Sequence, residues 1–112
     1  MRKLLALSLT LALFAVAGSQ ALARPQKSVK VGDNYFVRAG GPPKITVKKG
    51  TRVTFRWRGS SLHNVHVISG PRKFKSDYKR KGSFSKILRA KGTYKIVCDI
   101  HQPDMKLTIR VN

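Results

Sequence analysis

Residues 52–58 alternate strictly between apolar and polar side chains, and this alternation constrains the fold more than any other feature of the sequence. Val53, Phe55 and Trp57 share one parity, whereas the positions between them hold arginine or threonine. Successive side chains of a strand point to opposite faces, so the pattern predicts a β-strand with one buried face and one exposed face. Residues 106–111 repeat the pattern at the end of the sequence.

Further short runs, separated by Gly and Pro, extend this prediction to most of the chain. The predicted strands are residues 29–31, 35–38, 44–48, 52–58, 64–69, 83–88, 93–98 and 106–111. Gly50 lies in a tight connection between two of them and supplies the freedom for a positive φ. The longest predicted loop, residues 70–82, contains six basic residues and Asp77. The sequence therefore predicts an all-β sandwich.

The N-terminal segment has the layout of a secretory signal. Arg2 and Lys3 precede an apolar run over residues 4–17, and the small-residue triplet 21–23 follows it. An uncleaved membrane anchor is the competing interpretation, but this run is shorter than the roughly 20 residues that span a bilayer. We expect residues 1–23 to be a cleavable signal peptide and residues 24–112 to form one domain, exported to the periplasm, the cell envelope or the exterior.

The chain is strongly basic, with 24 Lys and Arg residues against 4 acidic residues, all of them Asp. Loss of Arg2 and Lys3 with the signal would lower the formal net charge from +20 to +18. Such a surface attracts acidic proteins, anionic lipid headgroups or cell-envelope polymers. Export removes most nucleic acid from reach, so we do not expect a nucleic-acid partner.

Cys98 is the only cysteine, so the chain cannot form an intramolecular disulfide. In an exported protein a lone thiol is buried, joined to another chain, or bound to a metal. Cys98, His101 and Met105 lie within eight residues, and their side chains are all donors that copper accepts. His63 shares strand parity with Val65 and adds a second imidazole. Two imidazoles, one thiolate and a weak axial thioether are diagnostic of a blue-copper electron-transfer site.

At these residues the sequence resembles the cupredoxins of the plastocyanin and amicyanin type. The resemblance covers nearly all of residues 29–112 and is carried by residues 47–57, 63–66, 92–94 and 98–105. It implies an eight-stranded Greek-key β-sandwich with one type 1 copper ion. We expect the protein to be a monomer. By the same resemblance, His63, Cys98 and His101 are the equatorial ligands, Met105 is the axial ligand, and Asn64 hydrogen-bonds to the ligand loop.

Three features of this sequence affect how far the family pattern applies to it. His66 is a tempting ligand, but it lies three residues from His63 and therefore faces the other side of the strand, so we predict that it does not bind copper. Three residues separate His101 from Met105, where similar proteins commonly have two or four. Plant plastocyanins are recognised through acidic patches, whereas this chain is basic, so their partner is not transferred.

The sequence thus predicts a one-electron carrier that alternates between Cu(II) and Cu(I) and serves an acidic redox partner. A copper carrier or storage protein with the same ligands is the first alternative. A metal-free, basic module that binds polyanions is the second. We do not predict an enzyme, because the chain has no Glu and no paired-carboxylate or Ser/His/Asp signature, and four protein ligands leave copper no open position for a substrate.

Overall fold

The computed structural model describes residues 23–37 and 43–112, and these fold into eight strands. The prediction of an all-β, eight-stranded sandwich is confirmed. The strands are β1 (Gln26–Gly32), β2 (Tyr35–Phe36), β3 (Lys44–Val47), β4 (Thr51–Trp57), β5 (His66–Ser69), β6 (Gly82–Leu88), β7 (Gly92–Val97) and β8 (Lys106–Val111). A short 3₁₀ turn, η1 (Asp99–His101), lies between β7 and β8.

The strands form two four-stranded sheets, ordered β2-β1-β4-β6 and β3-β8-β7-β5. The β1–β4 and β3–β8 pairs are parallel, and the remaining pairs are antiparallel. From β3 to β7 the chain changes sheet at every connection, as a Greek-key sandwich requires. The change from β3 to β4 is made in the turn at Gly50. The φ of Gly50 is 88°, a conformation that glycine adopts readily because it has no Cβ.

The core lies between the sheets and is built from the inward parity of each strand. β4 contributes the three apolar residues of the alternating pattern, and Val53 and Phe55 are completely buried. The other strands supply most of the remaining core, which includes Val29, Val31, Phe36, Val47, Val67, Leu88, Tyr94, Ile96, Leu107, Ile109 and Val111. Packing of two apolar faces is thus what holds the sheets together.

The two ends of the sandwich differ, and we name them by the segments they contain. The site end consists of residues 33–34, 58–66 and 98–105, which follow β1, β4 and β7. The base is the opposite end and consists of residues 24–25, 48–50 and 89–91. Parallel pairing of β1 with β4, with Val31 opposite Trp57, places the turn after β1 beside the segment that follows β4.

The predicted loop before β6 is partly paired with the chain at the site end. Lys79 and Lys75 form isolated antiparallel bridges with His63 and His66. Ser76 is buried, its Oγ accepts a hydrogen bond from Val65 N over 2.9 Å, and its own N donates to Val65 O over 2.8 Å. The basic segment therefore supports the backbone that positions His63.

The predicted signal peptide, apart from Ala23, lies outside the described residues, as do Arg38 and most of the Gly-Pro connection that follows it. Within residues 23–37 and 43–112, no helix has the length and apolar character needed to cross a bilayer.

Candidate metal centre

His63 lies in the segment between β4 and β5 and is completely buried. Its backbone is fixed on two sides. The N–H and C=O of His63 pair with Lys79 at 2.9 Å each, and Trp57 Nε1 donates to His63 O over 3.2 Å. The imidazole therefore sits at a set position above the core.

Cys98 directly follows β7 and keeps the inward parity of Tyr94 and Ile96, so its thiol is buried at the site end. The turn η1 then reverses the chain, and His101 N donates to Cys98 O over 3.2 Å. This reversal brings the half-buried His101 imidazole over the sulfur. Backbone hydrogen bonds from Met105 N to His101 O and from Cys98 N to Met105 O close the loop.

The structure brings the donor atoms of His63, Cys98 and His101 together. His63 Nδ1 lies 3.2 Å from His101 Nδ1, and Cys98 Sγ lies 3.8 Å from the first nitrogen and 3.4 Å from the second. The point equidistant from the three atoms is about 2.0 Å from each, which is the length of a metal–imidazole bond. A thiol and two imidazoles converging in this way fit a transition-metal ion.

The hydrogen bond on the far side of the His63 ring sets which nitrogen faces that point. His63 Nε2 lies 3.0 Å from Asp33 Oδ1, and a carboxylate can only accept, so Nε2 carries the proton. The Nδ1 lone pair is then directed at Cys98 and His101. A carboxylate behind a metal-binding imidazole fixes its tautomer and raises its basicity.

Asp33 was not identified as a functional residue from the sequence. Its carboxylate also accepts from Ser60 N at 3.0 Å and from Ser61 N at 2.9 Å. The hydrogen bond with His63, followed by those from Ser60 and Ser61, holds the pKa of Asp33 well below its usual range. The carboxylate is therefore ionised and fixed behind His63.

Asn64 joins the His63 segment to the loop that contains Cys98. Its Nδ2 donates to Asp99 Oδ2 over 2.9 Å, and its Oδ1 accepts from Asp99 N over 2.8 Å. Asp99 also bonds with His66 Nδ1 at 2.8 Å, and this bond is the main reason why the pKa of Asp99 is lowered. His66 is thus turned away from the three donors and engaged with Asp99, another residue that the sequence did not single out.

Met105 is completely buried at the site end, where the backbone hydrogen bonds to His101 and Cys98 place it beside the donor cluster. The candidate set then comprises two imidazoles, a thiol and a thioether. Structural and catalytic zinc sites use Cys, His and carboxylate ligands, whereas a His₂Cys site with a weak axial Met is the signature of blue copper.

Comparisons with known proteins agree with this chemistry. A family model described as a Cupredoxin-like domain matches residues 4–111. A search of curated protein sequences gives no significant match.

Among solved structures, an oxidised methionine-to-leucine variant of amicyanin is 26% identical, with a TM-score of 0.65, and the match covers 77% of this chain and 81% of that one. A reduced tryptophan-to-tyrosine variant of amicyanin has 26% identity and a TM-score of 0.66 over 81% of this chain and 86% of that one. A copper-containing nitrite reductase from Thermus scotoductus SA-01 is 25% identical with a TM-score of 0.66, but the match covers 81% of this chain and only 23% of the reductase.

Family, fold and donor chemistry agree. The residues brought together at the site end have the arrangement of a type 1 copper site, and the chain belongs to the Cupredoxin-like family.

Proposed function

We propose that this protein is an exported blue-copper electron carrier that exchanges single electrons between redox partners. The observation that carries the proposal is the convergence of His63 Nδ1, Cys98 Sγ and His101 Nδ1 within 3.8 Å of one another at the site end. Amicyanin, a structural relative, was solved in oxidised and reduced states. The nitrite reductase match covers a minor part of that enzyme and does not favour a catalytic role.

Each side chain of the centre has a distinct part in this proposal. With copper bound, Cys98 would supply a thiolate, His63 and His101 would supply neutral imidazoles through Nδ1, and Met105 would supply a thioether. A copper ion bound by this set supplies one-electron chemistry between Cu(II) and Cu(I). Copper delivery or storage is the alternative proposal. Rapid loss of the metal would favour delivery, whereas fast redox cycling with slow loss of the metal would favour electron transfer.

Rigidity of the donors favours electron transfer over delivery. Asp33 fixes the His63 ring, and Asn64 fixes the start of the ligand loop through Asp99. Donors that cannot relax toward the geometry preferred by either oxidation state need little rearrangement when the electron moves. Fast exchange with slow copper loss is the expected behaviour.

The proposed exit for the electron is His101, because it is the donor with the greatest exposure among the three. Ile100 beside it is 49% exposed, Pro103 is exposed and Leu62 is half-buried, and we propose that these apolar side chains form the docking patch for a partner. An apolar contact of this kind lets a partner approach the imidazole edge without displacing strongly bound water.

The proposed partner is an acidic redox protein, which the positive surface would steer into contact. Electrostatic steering raises the association rate more than the final affinity, and salt screens it. The rate of exchange with that partner should therefore fall as ionic strength rises. A rate that stays constant across a wide salt range would contradict the steering.

The absorption spectrum after addition of Cu(II) tests the central proposal. The wild-type protein should turn intensely blue, because the colour arises from the copper–thiolate bond, and ascorbate should bleach it. Cys98→Ser keeps the size of the side chain but removes the sulfur, so it should bind without the blue colour. A colourless wild-type complex, or a blue Cys98→Ser complex, would overturn the assignment.

A further inference from the structure

The charged side chains at the base of the sandwich are all cationic. Five cationic side chains are exposed there, and in the described part of the chain none of them forms an ion pair with a carboxylate side chain. The five are Arg24, Lys48, Lys49, Arg89 and Lys91. The base is therefore available for an anionic partner.

Hydrogen bonds join the segments of the base into one surface. Gly50 N donates to Leu88 O over 2.7 Å, which ties the turn after β3 to the end of β6. Arg24 Nη1 donates to Gly50 O over 3.0 Å and places its guanidinium over the same turn. The cations are thus presented together rather than on independent loops.

All four acidic residues of the chain lie away from the base. Asp33 and Asp99 are bonded to the histidines of the site end, Asp104 is in the ligand loop, and Asp77 lies in the segment paired with residues 63–66. The side-chain charges of the site end are therefore of both signs, whereas those of the base are all positive. Of the two ends, the base attracts an anionic surface more strongly.

A cavity beside the base combines cations with apolar walls. Its volume is about 330 Å³, and it opens between the end of β6 and the segment that follows β5. The lining includes the cations Arg72, Lys73, Lys86 and Arg89 and the apolar side chains Phe74, Leu88 and Tyr94. Such a cavity suits a phosphate group that is attached to hydrocarbon, which a soluble polyanion does not offer.

We propose that the base docks on a bilayer surface that contains anionic phospholipids, with the candidate copper centre facing away from the membrane. Because the candidate copper ligands lie at the opposite end of the sandwich, docking through the base leaves that end open to a redox partner. The proposal stands on the charge and shape of the base and does not depend on copper binding.

Sedimentation with lipid vesicles tests the docking. The protein is purified from the exported fraction, and mass spectrometry establishes that all variants have the same N-terminus. Wild type should sediment with phosphatidylcholine vesicles that contain phosphatidylglycerol and do so less as salt is added. The triple variant Lys48→Gln, Lys49→Gln, Lys91→Gln should bind these vesicles at least about tenfold more weakly, because each cation near the surface adds to the attraction.

The matched control is the triple variant Lys44→Gln, Lys95→Gln, Lys106→Gln. It removes the same charge from exposed positions in the strands β3, β7 and β8, away from the base. It should retain most of the binding. Equal losses in both triple variants would show that net charge, and not the base, governs binding. Absence of wild-type binding to the anionic vesicles would overturn the proposal. If the protein then bound heparin, the partner of the base would be a soluble polyanion and not a bilayer.

Discussion

Asn64 and Asp99 are joined by two hydrogen bonds, one in each direction, between segments that are 35 residues apart in sequence. Asn64 follows His63, and Asp99 follows Cys98. The pair therefore fixes the distance between two of the proposed copper ligands through their immediate neighbours. Asn64 is completely buried and the side chain of Asp99 is only 20% exposed, so water has little access to the bonds between them.

Replacing Asn64 by Ala should lower the free energy of unfolding of the metal-free protein by about 2–3 kcal/mol, since it leaves the Asp99 N–H and carboxylate without their buried partner. Urea unfolding followed by the fluorescence of Trp57, the only tryptophan, measures this. Ser69→Ala, at the exposed end of β5, is the control and should change stability by less than about 0.5 kcal/mol. Similar losses in both variants would remove the special role of Asn64.

Met105 should have separable roles in packing and in copper binding. Met105→Leu keeps the apolar volume and should cost less than about 1.5 kcal/mol of stability, whereas Met105→Ala should cost about 2–5 kcal/mol because the side chain is completely buried. If the thioether is the axial ligand, the Leu variant should also have a changed reduction potential while it stays blue. A potential equal to that of wild type would show that Met105 is a packing residue only.

Tyr94 should make stability depend on pH in the alkaline range. Burial raises the pKa of its phenol above the ordinary value of 10.0, and its hydroxyl donates to Ala90 O over 2.8 Å. The unfolded chain ionises this group first, so its contribution to stability is constant below about pH 10 and is lost as pH rises toward the folded-state pKa.

Tyr94→Phe removes that titration and should cost about 1 kcal/mol at neutral pH through loss of the hydrogen bond. The difference in unfolding free energy between wild type and variant should therefore shrink as pH rises above about 10. The exposed Tyr78 provides the control, because Tyr78→Phe should leave the pH profile as in wild type. A wild-type advantage that stays constant into alkaline pH would contradict the buried titration.

The sequence predicts those parts of the site that follow from local periodicity. Parity along β7 is enough to bury Cys98 beside Ile96, and parity with Val65 is enough to bury His63 and to turn His66 away. Asp33 does not follow from any local pattern, because its contact with His63 arises only when β1 pairs in parallel with β4. The same holds for the bond between His66 at the start of β5 and Asp99 in the turn η1 that follows β7.

The pairing of residues 75–79 with the His63 segment was also missed. Residues 75–79 are mostly charged and show no alternation of apolar side chains, so their sequence is typical of a solvated loop. In the structure its role is carried by the backbone and by Ser76 Oγ, neither of which leaves a hydrophobic signature.

Asp33→Asn should weaken Cu(II) binding by about 10–100-fold, which is the usual cost of losing the carboxylate behind a metal-binding imidazole. An ionised carboxylate makes His63 a stronger base and so favours Cu(II) over Cu(I), and the variant should have a higher reduction potential. Each tenfold loss that is confined to Cu(II) corresponds to a rise of about 59 mV. Competition with a chelator gives the affinity, and a redox titration gives the potential.

Asp77→Asn is the matched control, because it makes the same change in net charge within the segment that pairs with the site end. Asp77 is exposed, and its hydrogen bond from Ser76 Oγ is accepted by its backbone oxygen, which the substitution keeps. If the carboxylate of Asp33 acts through the hydrogen bond to His63 Nε2, only Asp33→Asn should move both affinity and potential strongly. If general electrostatics governs the centre, the two variants should shift the potential by similar amounts, and high salt should reduce both shifts. The ratio of the potential shifts in Asp33→Asn and Asp77→Asn therefore separates the effect of the hydrogen bond to His63 from that of long-range electrostatics.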